Sequence, residues 1–364
     1  MLPWKHCLEY YARPFVNNIK LENKNSVRYH ASNKSNGHLH ILKTLLKNHL
    51  ISTLPEKGHS LHKVARFHFK DFGKMLRGTT SLAIASAIEL NQDAATNWAL
   101  SVELMHNASL VHDDVCDEDS QRRHNPTIFA NFGAPLAICF GDWLVAKSFE
   151  HAALAAKETK GDTSRIITLL SNVMAKLSSG QAREFSGGPI LDWVGYDNVV
   201  NGKTVPLLAA AVEGPLLLAN QYQFFDDIKR CIESLGIGYQ ISNDILDALG
   251  KDGSEEAFND LYRRAPNAVS ITFRDTLKNG HRLQFDNWMN SEPQSENIDW
   301  ASQINENGAI NNCVKQLKQH LECSRLHRSR LPHNLQKALL PLVTYLEREA
   351  KQMCSSNIGD SESI

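Results

Sequence analysis

The chain has no uncharged run of about 20 apolar residues, so no transmembrane helix is expected. Its most apolar stretch, VPLLAAAVEGPLLLA, is interrupted by Glu213, Gly214 and Pro215 and reads as a buried helix and its boundary. Net charge is only −1 over 364 residues, so bulk electrostatics give no argument for a nucleic-acid partner. The seven cysteines lack CxxC spacing. An odd, scattered set is neither a disulfide framework nor a zinc site, and it fits a reducing, cytoplasmic setting. The N-terminus lacks an apolar signal core, which argues against secretion. Strand-like alternation is largely missing, and no internal repeat of fixed period is found.

What is present is helical period. Residues 1–38, rich in Asn, Lys, His and aromatics and containing SNKSNG, read as a flexible N-terminal extension. Their basic excess leaves an organellar transit peptide open as the alternative. From residue 39 to 350 the apolar spacing of helices is nearly unbroken, as in HILKTLLKNHLI and TTSLAIASAIELNQDAATNWALSVELMHNASLVHDD. Punctuation such as FGAP, SGGP and GDT spaces these segments as antiparallel helices require. Residues 351–364 form a polar tail. With 42% hydrophobic residues, the expectation is an all-α, single-domain helical bundle.

Two acidic clusters stand out on this background. HDDVCDED carries Asp113, Asp114 and Asp117; ISNDILDALG carries Asn243, Asp244 and Asp247. In each, carboxylates one turn apart share a helix face. Apolar residues flank both clusters, and crowding like charges in a partly buried place is costly without a cation among them. A hard divalent ion such as Mg²⁺, arriving with a phosphate-bearing substrate, meets that need. Cations accompany the acids: Lys74 and Arg77 in GKMLRG, Arg122 and Arg123 in SQRRHNPT, Lys203 beside Thr204, and Lys251. Arginine forks and lysine point charges bind phosphate oxygens. The combination suggests a diphosphate bridged by magnesium and a second anion held by protein cations alone.

The ordered series GKMLRG, ELMHNASLVHDDVCDED, RRHNPT, GQARE, GKT and YQISNDILD resembles the trans-isoprenyl diphosphate synthase (polyprenyl synthetase) family. The likeness runs from about residue 60 to about residue 350, including the late segment LPHNLQKALLPLVTYLEREA. The resemblance implies the isoprenoid-synthase helical bundle around a deep apolar cavity, a homodimer, and Mg²⁺-dependent condensation of isopentenyl diphosphate with an allylic diphosphate into a longer all-trans chain. It implies that Asp113, Asp114 and Asp117, with Asn243, Asp244 and Asp247, hold the metal. By the same likeness Arg122, Lys203, Thr204, Gln240 and Lys251 contact the allylic diphosphate, and Lys74, Arg77, His106 and Arg123 bind isopentenyl diphosphate. Asp113, Asp114, Lys203 and Asp244 are the residues it marks as catalytic. Met105, Ala108 and Ser109 lie on the turns beneath Asp113, where a growing chain would descend. The small side chains at 108 and 109 favour a product of twenty carbons or more.

Several positions depart from the family or stay open. Asn243 stands where the family has Asp, which removes about 3 kcal/mol of metal attraction at ~5 Å and an effective dielectric of ~20, before desolvation. NDLYRRAPNAVSITFRD replaces a lysine-bearing turn, with Arg263 and Arg264 both candidates for the missing cation. Pro206 should kink or start a helix. Gln181 and Glu184 are either a buried polar pair or support for the site. Glu118, Asp119, Asp226 and Asp227 are expected in solvent, with His112 at most supporting Asp113. Two other readings compete. A class I terpene cyclase shares the first acidic motif but has no use for Lys74, Arg77 and His106. A non-catalytic, modifying subunit of a hetero-oligomer would explain Asn243.

Overall fold

The computed structural model describes residues 35–159, 162–186, 189–251, 257–291 and 299–356. The reading of an N-terminal extension therefore lies, for residues 1–34, outside the described residues, as does the tail beyond residue 356.

The described chain is a succession of helices. The first half contains α1 (Ser35–Thr53), α2 (His62–His68), α3 (Leu76–Ala87) and α4 (Gln92–Cys116). A small hairpin of β1 (Gln121–Arg122) and β2 (Asn125–Pro126) follows, then α5 (Ile128–Phe132), α6 (Ala134–Lys157) and α7 (Thr163–Ser186). The second half has α8 (Trp193–Lys203), α9 (Val205–Leu218), α10 (Phe225–Ala248), α11 (Asn259–Tyr262) and α12 (Ala268–Thr276). It closes with α13 (Asn279–Met289), α14 (Trp300–Asn307), α15 (Ala309–Arg328), α16 (His333–Ala338) and α17 (Leu340–Ser356).

Local chemistry sets several helix starts. Asn91 accepts from the amides of Asp93 and Ala94 at the head of α4, and Asn267 does the same for Val269 and Ser270 at α12. The periodic region that ends in VHDD is divided: Glu89, at φ 54°, separates α3 from α4. At Thr204 one helix stops and α9 begins with Pro206 in its first turn, as that proline suggested.

The expected boundary at Gly214–Pro215 is not one. α9 continues through both residues to Leu218. Trp98 of α4 lies against this turn: a Cβ on Gly214 would sit 1.9 Å from its ring, and its indole N–H donates to Ala210 O at 3.0 Å. The glycine is there for close helix approach, and the indole supplies a donor in the turn preceding the proline.

α4 is central. It lies along α6, while α10 lies along α15. Leu104, Ala108 and Val111 belong to the core cluster that contains Phe140 and Leu144 of α6. Trp98, Val102 and Met105 belong to another, with Ile166 and Leu170 of α7 and Leu207 of α9. A turn of roughly 100° per residue separates these faces and leaves a third, with His106 and Asp113, for the interior cavity.

Candidate active site

The C-terminal ends of α4 and α10 open onto one cavity of about 760 Å³. Eight carboxylates and seven lysine or arginine side chains line it. Such a near-balance of opposite charges suits a complex of cation and anion better than a bare anion. Asp113, Asp117, Asn243, Asp244 and Asp247 all border it, so the two sequence clusters do face one space.

Within the first cluster the three aspartates divide. Asp113 and Asp117, four residues apart, face the cavity. Asp114 is turned from it and only 3% exposed, and its carboxylate accepts from Arg122 Nε at 2.6 Å. Of the three aspartates read as metal ligands, Asp114 is therefore the one whose side chain an arginine engages here. Burial pushes the Asp113 carboxyl up to about 6, against the pull of Lys203 and Arg122. The same cause lifts Asp114 to about 6 despite its arginine. These acids lack full compensation within the protein, which is the condition a divalent cation relieves. Asp113 and Asp117 thus fit a hard cation, with Asn243 and Asp247 across the cavity. Among the described residues no three acidic, histidine or cysteine side chains converge into a ready-made cage.

Asp244 is likewise engaged by protein donors. It is 1% exposed, and both oxygens serve protein donors. Tyr196 OH and the Ala268 amide reach Oδ2 at 2.7 and 2.8 Å, and Gln240 Nε2 reaches Oδ1 at 2.9 Å. Thr204 Oγ1 in turn donates to Gln240 Oε1 at 2.9 Å. A chain of hydrogen bonds therefore ties the helix break beside Lys203 to α10 and α12. Burial, then the charge of Asp260, pushes the Asp244 carboxyl up to about 7 against these donors.

The basic side of the cavity is built from α3 and the hairpin. Arg77 is buried, and its Nη1 donates to His106 Nε2 at 3.0 Å. An arginine cannot accept, so His106 is neutral with its proton on Nδ1. Burial and then the charges of Arg77 and Arg123 hold that imidazole well below its ordinary pKa. The Arg77 Nε is buried with no partner, a donor awaiting an acceptor. Arg123 occupies the hairpin turn with His124, both in the left-handed region at φ 53° and 62°. Its guanidinium rests on Gly73, itself at φ +61°, where a Cβ would meet Nη1 at 2.1 Å. Backbone strain of this kind persists where surrounding structure fixes it, here aiming an arginine into the cavity. Lys74 donates to Tyr345 OH of α17 and lies 4.5 Å from that ring's centre.

Lys203, Thr204, Gln240 and Lys251 all line the cavity. Lys203 Nζ pairs with Glu184 at 2.7 Å, and Gln181 Nε2 donates to Asp117 Oδ1 at 3.2 Å, so α7 supports the site rather than burying an isolated polar pair. Of the two candidate arginines, Arg263 reaches the cavity and pairs with Asp119 at 3.0 Å. Arg264 stacks on Trp288 at 3.3 Å instead. Asp119 is therefore not a solvated acid as expected; it lines the cavity. Glu118 and Asp226 are exposed, and Asp227 pairs with Arg330 at 3.7 Å. His112 packs on Gly141 and approaches Asp142 at 3.4 Å.

A second, mostly apolar cavity of about 290 Å³ shares Ser109 and Asp113 with the first and is walled by Met174, Leu177 and Phe185 of α7. Ala108 lines neither cavity and sits in the core cluster on the α6 side. Met105 also lines neither, but it belongs to the same cluster as Leu177, beyond Ser109. The rotation between residues 108 and 109 explains the split.

Residues 59–304 match the model of the polyprenyl synthetase family. The chain belongs to that family. It is 32% identical over 252 residues to the geranylgeranyl diphosphate synthase of Saccharolobus solfataricus, covering 66% of this chain and 75% of that one. It is 32% identical over 203 residues to the geranylgeranyl pyrophosphate synthase of Geoglobus acetivorans, which is matched over 62% of its length and 54% of this chain. The crystal structure of a decaprenyl diphosphate synthase from Rhodobacter capsulatus superposes with a TM-score of 0.74 at 22% identity, over 87% of this chain and 98% of that one. That likeness establishes the all-α isoprenoid-synthase fold. Family membership makes the chain a trans-prenyltransferase.

Among the contributors to this cavity and its supports that escaped the sequence reading are Tyr196, the Ala268 amide, Asp260 and Tyr345. Tyr196 precedes Lys203 by two helical turns and so shares its face, a spacing that could have exposed it. The Ala268 amide and Tyr345 arrive through tertiary packing and leave no local signal.

Proposed function

We propose that this prenyltransferase condenses isopentenyl diphosphate with an allylic diphosphate to give an all-trans product of twenty carbons or more. The observation that carries the reading is the pairing of a basic and an acidic wall in one cavity. One is lined by Lys74, Arg77 and Arg123, with the unpartnered Arg77 Nε at its back. The other is flanked by carboxylates and opens onto the apolar cavity. Magnesium at Asp113 and Asp117, with Asn243 and Asp247 opposite, would supply the charge that makes the allylic diphosphate a leaving group. Arg122 and Lys203 receive the negative charge left on the diphosphate when the carbon–oxygen bond breaks. Thr204 and Gln240 fix Lys203 at the helix break, and Lys251 faces the same group from the far rim. Lys74, Arg77, His106 and Arg123 orient isopentenyl diphosphate so that its alkene attacks the allylic carbon. The departed pyrophosphate then takes the proton, and no protein base is required.

Homodimerisation is the assembly that the family likeness suggests. No described helix is long and apolar enough to cross a membrane, and the exposed thiols of Cys116 and Cys139 suit the cytoplasm.

Purified chain supplied with Mg²⁺, labelled isopentenyl diphosphate and each allylic primer tests the reading; elongated products are expected without any partner. A chain silent alone yet active with a second subunit would favour the modifying-subunit reading, which Asn243 supports. A cyclic hydrocarbon product would replace it with a cyclase.

Two substitutions sharpen the assignments. Arg77→Ala should raise the KM for isopentenyl diphosphate about 10- to 100-fold, since a buried charged hydrogen bond is lost, and barely change that for the allylic partner. Titrating each substrate in turn decides it, and equal effects on both would merge the two sites. Ser109→Phe should shorten the product, because residue 109 stands at the entrance to the apolar cavity. Ala108→Phe should instead overpack the core against α6 and cost about 1–3 kcal/mol of stability. Chromatography of the products and thermal melts separate these outcomes, and an unchanged product from Ser109→Phe would remove that cavity from chain-length control.

A further inference from the structure

Arg263 joins the two halves of the cavity in an unusual way. It follows α11, and α11 is bound to the second cluster: the Phe258 amide donates to Asp247 O at 3.0 Å and the Asp260 amide to Asp247 Oδ1 at 3.3 Å. From that base the guanidinium crosses to the first cluster. Its Nη1 donates to Asp119 Oδ1 at 3.0 Å, while Nη2 lies 3.5 Å from both Asp117 Oδ1 and Asp117 O. The nearer contact is therefore to Asp119, and the contact to the cavity-facing Asp117 is loose. Arg263 is 36% exposed on its side chain, so these pairs are screened and easily exchanged.

We propose that Arg263 is a diphosphate-binding residue that Asp117 and Asp119 hold while the site awaits substrate. This rests on the diphosphate reading of the cavity. A guanidinium presents five donors in a planar fork, and Asp119 uses one of them well. With Asp117 engaged by a cation, the Nη2 edge would lose its weaker partner and be free for phosphate oxygens. Parallel N–H donors of the guanidinium would then meet the diphosphate in the cavity that Lys203 also lines. Arg264 has no such freedom: its donors are on the carbonyls of Trp288, Leu261 and Tyr262, and its plane stacks on Trp288.

The test is calorimetric titration of the full chain with inorganic pyrophosphate in excess Mg²⁺, alongside steady-state kinetics. Arg263→Ala should weaken pyrophosphate binding about 10- to 100-fold. It should raise the KM for the allylic diphosphate in parallel and leave that for isopentenyl diphosphate in place, with Arg263→Lys recovering part of the loss. Asp119→Asn carries the opposite sign: by removing the competing carboxylate it should tighten pyrophosphate binding several-fold. If Asp119→Asn instead weakens binding as Arg263→Ala does, the pair is a strut across the mouth and the proposal is wrong. Wild-type affinity in Arg263→Ala would also sink it, while leaving the diphosphate site intact. Failure of the wild-type chain to bind magnesium pyrophosphate at all would overturn both.

Discussion

Asp113→Asn is expected to lower turnover about 10³-fold and, in the absence of metal, to make the protein more stable. The two effects have one cause. Burial lifts this carboxyl to about 6, so the folded chain holds the ionised form at a disadvantage of up to about 3 kcal/mol relative to the unfolded chain. Partial exposure and screening reduce that to about 1–2 kcal/mol. The asparagine keeps the shape and removes the charge. Neither neighbouring cation is stranded, because Lys203 retains Glu184 at 2.7 Å and Arg122 retains Asp114 at 2.6 Å. Since the folded-state pKa lies above the unfolded one, the fold binds this proton more readily. The destabilisation by Asp113 is therefore present above about pH 6 and fades as pH falls toward its unfolded value. The advantage of Asp113→Asn in thermal melts should accordingly be larger at pH 8 than at pH 5. With magnesium pyrophosphate present the order should reverse, because the wild type then gains ligand-linked stability that the variant lacks. Melts at both pH values, with and without magnesium pyrophosphate, check each arm. A variant less stable than wild type at pH 8 without metal would mean that this carboxylate is compensated after all.

That trade of stability for charge also explains which parts were legible in the chain. The helices were, because their apolar period is local and long. The acidic and basic site residues were, because pairs such as Asp113 with Asp117 or Lys74 with Arg77 share a helix face by spacing alone. The division of labour within each cluster was not. Whether Asp114 faces metal or Arg122 depends on a hairpin whose turn residues, Arg123 and His124, carry none of the usual Asn-Gly signal for positive φ. Whether Asp119 is solvated depends on Arg263, 144 residues away in sequence. The turn of α9 at Gly214–Pro215 packs against Trp98 of another helix. In each case the deciding partner comes from a distant segment, and local propensity has no access to it.

The second large effect is expected at Asp244, where substitutions should separate structure from metal binding. Its two oxygens take Tyr196 OH, the Ala268 amide and Gln240 Nε2, and the carboxylate is buried. Asp244→Leu leaves the first two donors buried without acceptors. At about 1–3 kcal/mol each, that is several kcal/mol, enough to unfold a marginal protein. Asp244→Asn should be far milder. Its single carbonyl can serve Tyr196 and Ala268, and its amide can donate to Gln240 once that side chain flips, since the Thr204 hydroxyl can accept as well as donate. Magnesium demand should distinguish Asp244, whose two oxygens are taken by protein donors, from Asn243 and Asp247. Asp244→Asn is expected to keep the half-saturating magnesium concentration near that of the wild type. Asp247→Asn should raise it, and Asn243→Asp, which restores a cavity-facing carboxylate, should lower it about 3- to 10-fold. Magnesium titrations of the three variants, each paired with a thermal melt, read out both properties. A magnesium shift in Asp244→Asn as large as that in Asp247→Asn would return Asp244 to the metal. It would also require the Tyr196 and Ala268 hydrogen bonds to open whenever substrate is bound.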